Sequence, residues 1–184
     1  TPIGSFLGEL SKVDAPKLGS ACIKSLLERN NVKSEIIDEV ILGNVVSAGI
    51  GQAPARMAAL DAGLKPSTNC MTINKVCGSG MKSVMLAAQS IMLGDTEVAM
   101  AGGMENMSKI PHYLLNSRFG YKMGDQKIVD GMTHDGLIDP YDNIHMGCLA
   151  ELCAKEYSFS REEQDEFAEQ SYKRAIKATE DGKF

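Results

Sequence analysis

Cys77 is the strongest nucleophile in the segment TINKVCGSGMKS, residues 72–83. It follows a β-branched run and precedes Gly78-Ser79-Gly80, after which the residues favour a helix. A sulfur at this junction faces the helix N-terminus, where unpaired amides and the helix dipole favour a thiolate. Gly78 and Gly80 leave space for a substrate because they have no side chains. The pattern is that of a nucleophile elbow, in which the nucleophile's own amide can help to hold an oxyanion.

Two other interpretations of this segment remain open from the residues alone. Strand, Gly-x-Gly and helix is also the context of a dinucleotide-binding loop. However, Ser83 replaces the third glycine, and the acids Asp95 and Glu97 precede the next strand instead of ending it. The third interpretation is a small buried thiol, which is what most free cysteines are.

The other cysteines indicate no disulfide framework and no metal site. Five cysteines are an odd number without a CxxC pair, which is typical of reduced, intracellular thiols. Cys22, Cys70 and Cys153 lie on apolar faces and are predicted to be buried thiols. His145 and Cys148 lie close to Cys153, but their spacing fits no common zinc pattern, so we expect no metal.

Strands alternate with helices in the first part of the chain, which predicts an α/β fold with a largely parallel sheet. The predicted elements are helix 14–30, strand 39–47, helix 52–64, strand 70–76, helix 78–93 and strand 97–102. Asp14 is the expected cap of the first helix, which carries Leu18, Cys22 and Leu26 on one face. Residues 80–93 are apolar nearly all round, so we expect this helix to lie buried between two sheets.

The pattern changes near residue 108, where we place a domain boundary. Residues 108–144 show no clear periodicity and are predicted to form long excursions. A helix follows at 145–157, and Ser160 with Glu163 predicts a capping box for another. The inward stripe expected for that last helix is Phe167, Ser171, Ala175 and Ala178.

Composition excludes several functions. The 184 residues carry a net charge of −5 without a basic run, which argues against non-specific nucleic-acid binding. No apolar run approaches the roughly 20 residues of a membrane span, and no signal peptide is evident. The chain begins at TPIG and stops at DGKF directly after a helix, so we expect a piece of a longer protein.

The residues IN-x-x-CGSGM, 73–81, resemble the active-site cysteine segment of the thiolases. Within that family the resemblance is to the biosynthetic type of acetyl-CoA acetyltransferase, including the mitochondrial acetoacetyl-CoA type. Further segments agree in order: TPIGSFLG (1–8), GQAPAR (51–56), AGGMENMS (101–108), KMGD (122–125), DGL-x-D (135–139) and HMG-x-x-AE (145–151).

The resemblance implies a thiolase-like layered α/β/α fold. Residues 1–107 would form the N-terminal core domain without its first strand, and residues 108–184 the start of an inserted loop domain. The C-terminal half of the family would be absent.

The resemblance also implies roles for individual residues. Cys77 matches the nucleophile that carries the acyl group as a thioester, and its amide would form half of an oxyanion hole. His145 and Met146 match positions lining the pocket near the sulfur and the coenzyme A (CoA) thioester. Leu137 matches a position that packs against the CoA tail. From the residues alone, His145 at a helix start is better explained as a cap or a packing residue, and Met146 as a packing residue.

The implied reaction joins two acetyl-CoA molecules to acetoacetyl-CoA, or cleaves acetoacetyl-CoA with CoA. The family uses three further groups, an Asn in Asn-Glu-Ala-Phe, a His in Gly-His-Pro and a Cys in Cys-x-Gly, and none occurs in these 184 residues. We therefore expect this chain alone to be inactive.

The resemblance implies acetyl-CoA and acetoacetyl-CoA as substrates, no cofactor, and no nucleic-acid or membrane partner. A homodimer or homotetramer is expected, since the excursion at 111–130 is similar to the loop that builds tetramers. The mitochondrial matrix is the expected location, with the cytoplasm as the alternative. Rival functions are a degradative 3-ketoacyl-CoA thiolase, a decarboxylating condensing enzyme, and a catalytically dead domain with a packing or assembly role.

Overall fold

Helices and strands alternate along the computed structural model, which describes residues 1–183. The helices are α1 (Ala15–Arg29), α2 (Pro54–Asp61), α3 (Ser79–Leu93), α4 (Gly131–Gly136), α5 (Met146–Glu156) and α6 (Arg161–Glu180). The strands are β1 (Glu39–Gly43), β2 (Asn69–Ile73), β3 (Ala99–Gly103), β4 (His112–Tyr113) and β5 (Val129–Asp130).

The central sheet is parallel, with the order β2-β1-β3. Gly43 at the end of β1 lies opposite Ile73 of β2 and Gly103 of β3, so all three strands end at one edge. Such an edge is where open α/β sheets form their sites.

Helices cover the two faces of this sheet. Val40 and Leu42 of β1 belong to the core that is shared with α1 and α2. Alternation turns Ile41 and Gly43 to the opposite face, where α3 packs. This arrangement confirms the predicted α/β layers.

The face of α1 that carries Leu18, Cys22 and Leu26 is not its buried face. Leu26 is half exposed, whereas Ile23 and Leu27 are buried with the helix's small residues. Gly19 is the physical reason, because a Cβ placed there would lie only 3.3 Å from the Cβ of Ala58 in α2. Because α1 and α2 approach each other along their small residues, longer side chains of α1 such as Leu26 point outward. Asp14 holds the N-cap position, but its carboxylate pairs with Lys109 and caps no amide.

Within residues 1–183, α3 is not buried on every side as predicted. Its buried residues are Ser79, Ser83 and Ala87, which lie on the face toward the sheet. Met81, Val84 and Met92 are 69%, 55% and 84% exposed, because no second layer within residues 1–183 covers them.

By length and composition, Val76–Leu93 is apolar enough to cross a membrane, which corrects the expectation that no run approaches this length. A helix that packs on a sheet passes the same test, so this is weak evidence of a span.

Residues 108–136 contain more structure than their lack of periodicity indicated. The short strands β4 and β5 pair antiparallel, and α4 follows them directly. By their contacts the residues divide into one unit comprising Ile3–Gly136 and a second starting at Leu137. The boundary near 108 stays a prediction, and Phe184, the last residue of the second predicted domain, lies outside the described residues.

The second unit contains α5 and α6. Ser160 Oγ accepts from the Glu163 amide while the Glu163 carboxylate accepts from the Ser160 amide, which confirms the capping box. The inward stripe predicted for α6 was wrong, because Phe167 is 75% exposed, Ser171 and Ala175 are exposed, and Ala178 is only half-buried. Within residues 137–183, nothing packs on that face.

Candidate active site

Cys77 lies at the edge where the parallel strands end. β2 ends at Ile73, and α3 begins at Ser79 with Gly78 as its N-cap, so Cys77 immediately precedes the cap. Its thiol is exposed. The structure thus places a reachable sulfur at a helix N-terminus, as the sequence predicted.

A tight turn brings β2 into α3. The Gly78 amide donates to Lys75 O at 3.1 Å, and the Ser79 amide donates to Val76 O at 3.0 Å. These two amides are bonded within the turn, and the dipole of the 15-residue α3 favours an anion at its start. Val76 has φ +47°, which is a genuine outlier for a β-branched residue.

Glycines on the sheet allow α3 to begin directly against the strand ends. A Cβ on Gly43 would lie 2.6 Å from the Ser79 Cβ and 2.8 Å from the Gly80 nitrogen. A Cβ on Gly103 would lie 3.3 Å from the Gly80 Cα. Sequence reasoning missed Gly43, although a glycine that ends a buried strand is a known sign of close backbone approach.

The two glycines predicted to give clearance have no crowded neighbours. A Cβ on Gly78 would meet Lys75 O at 3.4 Å, and one on Gly80 would meet nothing closer than 3.8 Å. Packing within residues 1–183 therefore tolerates a side chain at either position. Clearance for a substrate stays a prediction.

Ser83 occupies the position where a dinucleotide fingerprint has its third glycine. It is fully buried, and its Oγ lies 2.6 Å from Gly80 O and 2.7 Å from Gly102 O. The hydroxyl joins the first turn of α3 to β3. This explains a polar residue inside an apolar helix without a nucleotide.

Glu105, which follows β3, holds the loop after β1. Its carboxylate accepts from Asn44 Nδ2 at 2.9 Å and from the Val45 amide at 2.8 Å. Burial raises the pKa of Glu105, and these hydrogen bonds partly oppose the rise. Asn106 Nδ2 lies 2.6–3.3 Å from three carbonyls of residues 10–13. Glu105 thus holds the loop after β1, and Asn106 holds the segment before α1.

Leu137, His145 and Met146, the predicted CoA-pocket residues, come together in the second unit. The Met146 amide donates to Leu137 O at 2.9 Å, and His145 pairs with Ile138 as an antiparallel bridge. His145 caps α5, with its Nδ1 accepting from the Gly147 amide at 3.0 Å. A neutral ring therefore carries its proton on Nε2. Contact with CoA stays a prediction.

None of the three cysteines predicted to be buried is fully buried. Cys22 and Cys70 are half-buried, and burial raises the pKa of Cys70. Cys153 is exposed, not buried, because its face of α5 is uncovered within residues 137–183. Residues 1–183 contain no group of three His, Cys, Asp or Glu side chains placed to hold a metal ion.

Comparison with known proteins decides the family. Residues 1–184 match the family described as "Thiolase, N-terminal domain". This chain belongs to the thiolase family. Similar proteins, each covering 100% of this chain, are "Acetyl-CoA acetyltransferase 2" of Arabidopsis thaliana (54% identity), "Acetyl-CoA acetyltransferase" of Cupriavidus necator (56%) and "Acetyl-CoA acetyltransferase ERG10, cytosolic" of Gibberella zeae (54%). This thiolase chain spans only 46–47% of the length of these relatives.

Proposed function

We propose that the whole protein is an acetyl-CoA C-acetyltransferase in which Cys77 carries the acetyl group. The observation that supports this most strongly is the exposed Cys77 thiol at the N-terminus of α3. Relatives that are 54–56% identical bear the name acetyl-CoA acetyltransferase.

The proposed chemistry has two steps. The Cys77 thiolate attacks the carbonyl carbon of acetyl-CoA, the electron pair moves to the oxygen, and CoA leaves as a thiolate that takes a proton. A second acetyl-CoA then loses an α-proton to a base, and its carbanion attacks the acetyl-cysteine. Acetoacetyl-CoA forms and the Cys77 thiolate is released. The covalent intermediate divides one difficult step into two easier ones.

The other parts of the proposal rest on the resemblance and on the local geometry. Leu137, His145 and Met146 contact CoA, which is a substrate, so the reaction uses no resident cofactor. The excursion at 111–130 contributes to a homodimer or homotetramer. The mitochondrial matrix is the proposed location, although one relative is named cytosolic.

Longer acyl groups are the alternative substrates, as in a degradative 3-ketoacyl-CoA thiolase. A relative from Staphylococcus aureus, 50% identical, is named "Probable acetyl-CoA acyltransferase". This name does not restrict the transferred acyl group to acetyl. Comparing kcat/KM for acetoacetyl-CoA and a long-chain 3-ketoacyl-CoA distinguishes these two. We expect a clear preference for acetoacetyl-CoA.

The test is thiolysis of acetoacetyl-CoA by the whole protein. Cys77→Ser should lower kcat by at least about 10³-fold, whereas Cys148→Ser, at another exposed thiol, should leave it nearly unchanged. Full activity of Cys77→Ser would refute the proposal. The 184 residues alone should show no cleavage, since the family's other catalytic groups do not occur in them.

A further inference from the structure

The peptide that joins Val76 to Cys77 is held by two neighbouring side chains. The Val76 amide donates to Asn74 Oδ1 at 2.9 Å. The Val76 carbonyl accepts from Ser79 Oγ at 2.6 Å and from the Ser79 amide at 3.0 Å. Ser79 Oγ also accepts from the Lys75 amide at 2.8 Å.

These contacts are anchored to the sheet. Asn74 Nδ2 donates to Val45 O at 3.2 Å, and the Val45 amide is bound by the Glu105 carboxylate. Ser79 is 4% exposed, and it packs so closely on Gly43 that a side chain at position 43 would clash with it. The strained φ of Val76 is therefore fixed from both sides, which is how strain persists at functional sites.

The orientation of one peptide plane determines where the Cys77 N–H points. The Val76 carbonyl and the Cys77 amide belong to the same planar, trans peptide, in which C=O and N–H point in opposite directions. Because the carbonyl points toward Ser79 in the first turn of α3, the Cys77 N–H points away from it.

We propose that Asn74, Val76 and Ser79, the elbow lock, are positioning residues that direct the Cys77 amide toward the oxyanion formed during acyl transfer. This rests on the proposed function of Cys77 as the acyl carrier. The elbow lock acts on the charge that develops on the substrate oxygen, in addition to holding the sulfur in place. Its loss should therefore affect acyl transfer more than other reactions of the same thiol.

Two small reagents separate these effects in the full chain. 4-Nitrophenyl acetate acylates a thiolate through an oxyanion and releases 4-nitrophenolate, whereas iodoacetamide alkylates it by displacing iodide without an oxyanion. Neither reagent requires a CoA site. Modification of Cys77 is followed by peptide mass spectrometry, with Cys148 as the internal reference.

Val76→Gly is the main variant, because Val76 is 55% exposed and glycine adopts many other φ values as readily as this one, so the peptide that precedes Cys77 is held less firmly. We expect its acylation rate at Cys77 to fall about tenfold, a fraction of the loss caused by deleting an oxyanion donor. Alkylation should change less than about twofold, since it forms no oxyanion. Asn74→Ala should behave likewise, and Val76→Asn should retain the wild-type rate, because asparagine tolerates this conformation.

Leu7→Gly is the matched control, since Leu7 is another exposed apolar residue with positive φ, at 57°. It should alter neither rate. Equal losses with both reagents in Val76→Gly, or no loss with either, would overturn the proposal. So would wild-type acylation of Cys77 no faster than that of Cys148. Failure of acetyl-CoA to acetylate Cys77, with the difference between the two reagents intact, would instead count against the proposed function.

Discussion

At the scale of single residues, the position of the nucleophile depends on glycines of the sheet as much as on the elbow. Gly43 and Gly103 end β1 and β3, and they let the first turn of α3 contact the backbone of both strands. Any side chain at Gly43 would push Ser79 outward, and Ser79 holds the peptide that precedes Cys77.

Gly43→Ala should therefore destabilise the chain by about 1–3 kcal/mol, the usual cost of overpacking. Gly102→Ala is the control, because its Cβ would meet Leu42 at an ordinary 3.7 Å, and it should be neutral or slightly stabilising. Urea unfolding measures both changes. Similar losses in the two variants would show that crowding at Gly43 is not the cause.

Cys77 could be predicted because a cysteine between a strand and a glycine-rich helix start is visible in the residue order. Asn74, Val76 and Ser79 could not, since no propensity indicates that a valine will adopt positive φ. That conformation is imposed by the turn's hydrogen bonds, which join residues whose pairing the sequence does not display.

At the scale of secondary-structure elements, α6 depends on its capping box because its sides are exposed within residues 137–183. Ser160→Ala should cost about 1 kcal/mol of local stability, which corresponds to roughly fivefold faster amide hydrogen exchange in α6. Ser171→Ala, at an exposed position within the helix, should slow exchange slightly, since alanine is the better helix former. Unchanged exchange in Ser160→Ala would contradict the importance of the cap.

Asp38 connects the start of β1 to the segment before β3. Its Oδ2 accepts from the amides of Glu97 and Val98 at 3.0 Å, and these bonds, the Val98 bond most, lower the pKa of Asp38. A carboxyl whose pKa is lower in the folded state stabilises the chain above its unfolded pKa of about 3.9. That stability is lost as the pH falls through the folded pKa.

Asp38→Asn should therefore reduce stability at neutral pH and flatten the loss of stability in acid. The control is Asp61→Asn, which removes an exposed ion pair with Lys17 and should have little effect. Thermal unfolding across the acid range measures both. If the stability of Asp38→Asn falls in acid as steeply as that of the wild type, Asp38 does not contribute to the acid dependence.

Periodicity and turn residues predicted each of the longer helices and every strand of the central sheet, with ends shifted by a few residues. The predicted strand 39–47 is too long. The strand ends at Gly43, because the Asn44 side chain donates to Met104 O and to Glu105. The buried face of α1 could not be predicted, because it depends on the close helix approach that Gly19 and Ala58 allow, which no count of large apolar residues reveals.

At the scale of the whole molecule, residues 1–183 cover only one face of the apolar helix α3. One face packs on the sheet through Ser83 and Ala87, and the other exposes several methionines. Burial depends on what else packs on the helix, and the periodicity of the helix itself carries no such information.

Lysine substitutions should distinguish the exposed face of α3 from its buried face in the 184-residue chain. Met85→Lys, at a position 49% exposed, should change the free energy of unfolding by less than about 0.5 kcal/mol. Ala87→Lys, at a position 6% exposed, should cost at least about 2 kcal/mol, because it buries an unpaired charge. Equal costs would mean that the outer face of α3 is covered.

The most direct test of the central claim is to locate the acetyl group after mixing the whole protein with acetyl-CoA. Acid quenching and peptide mass spectrometry report on all five cysteines in one experiment. We expect one acetyl group on Cys77 and none on the exposed Cys148 and Cys153. An unmodified Cys77, or acetyl spread evenly over the three exposed thiols, would contradict its role as the acyl carrier.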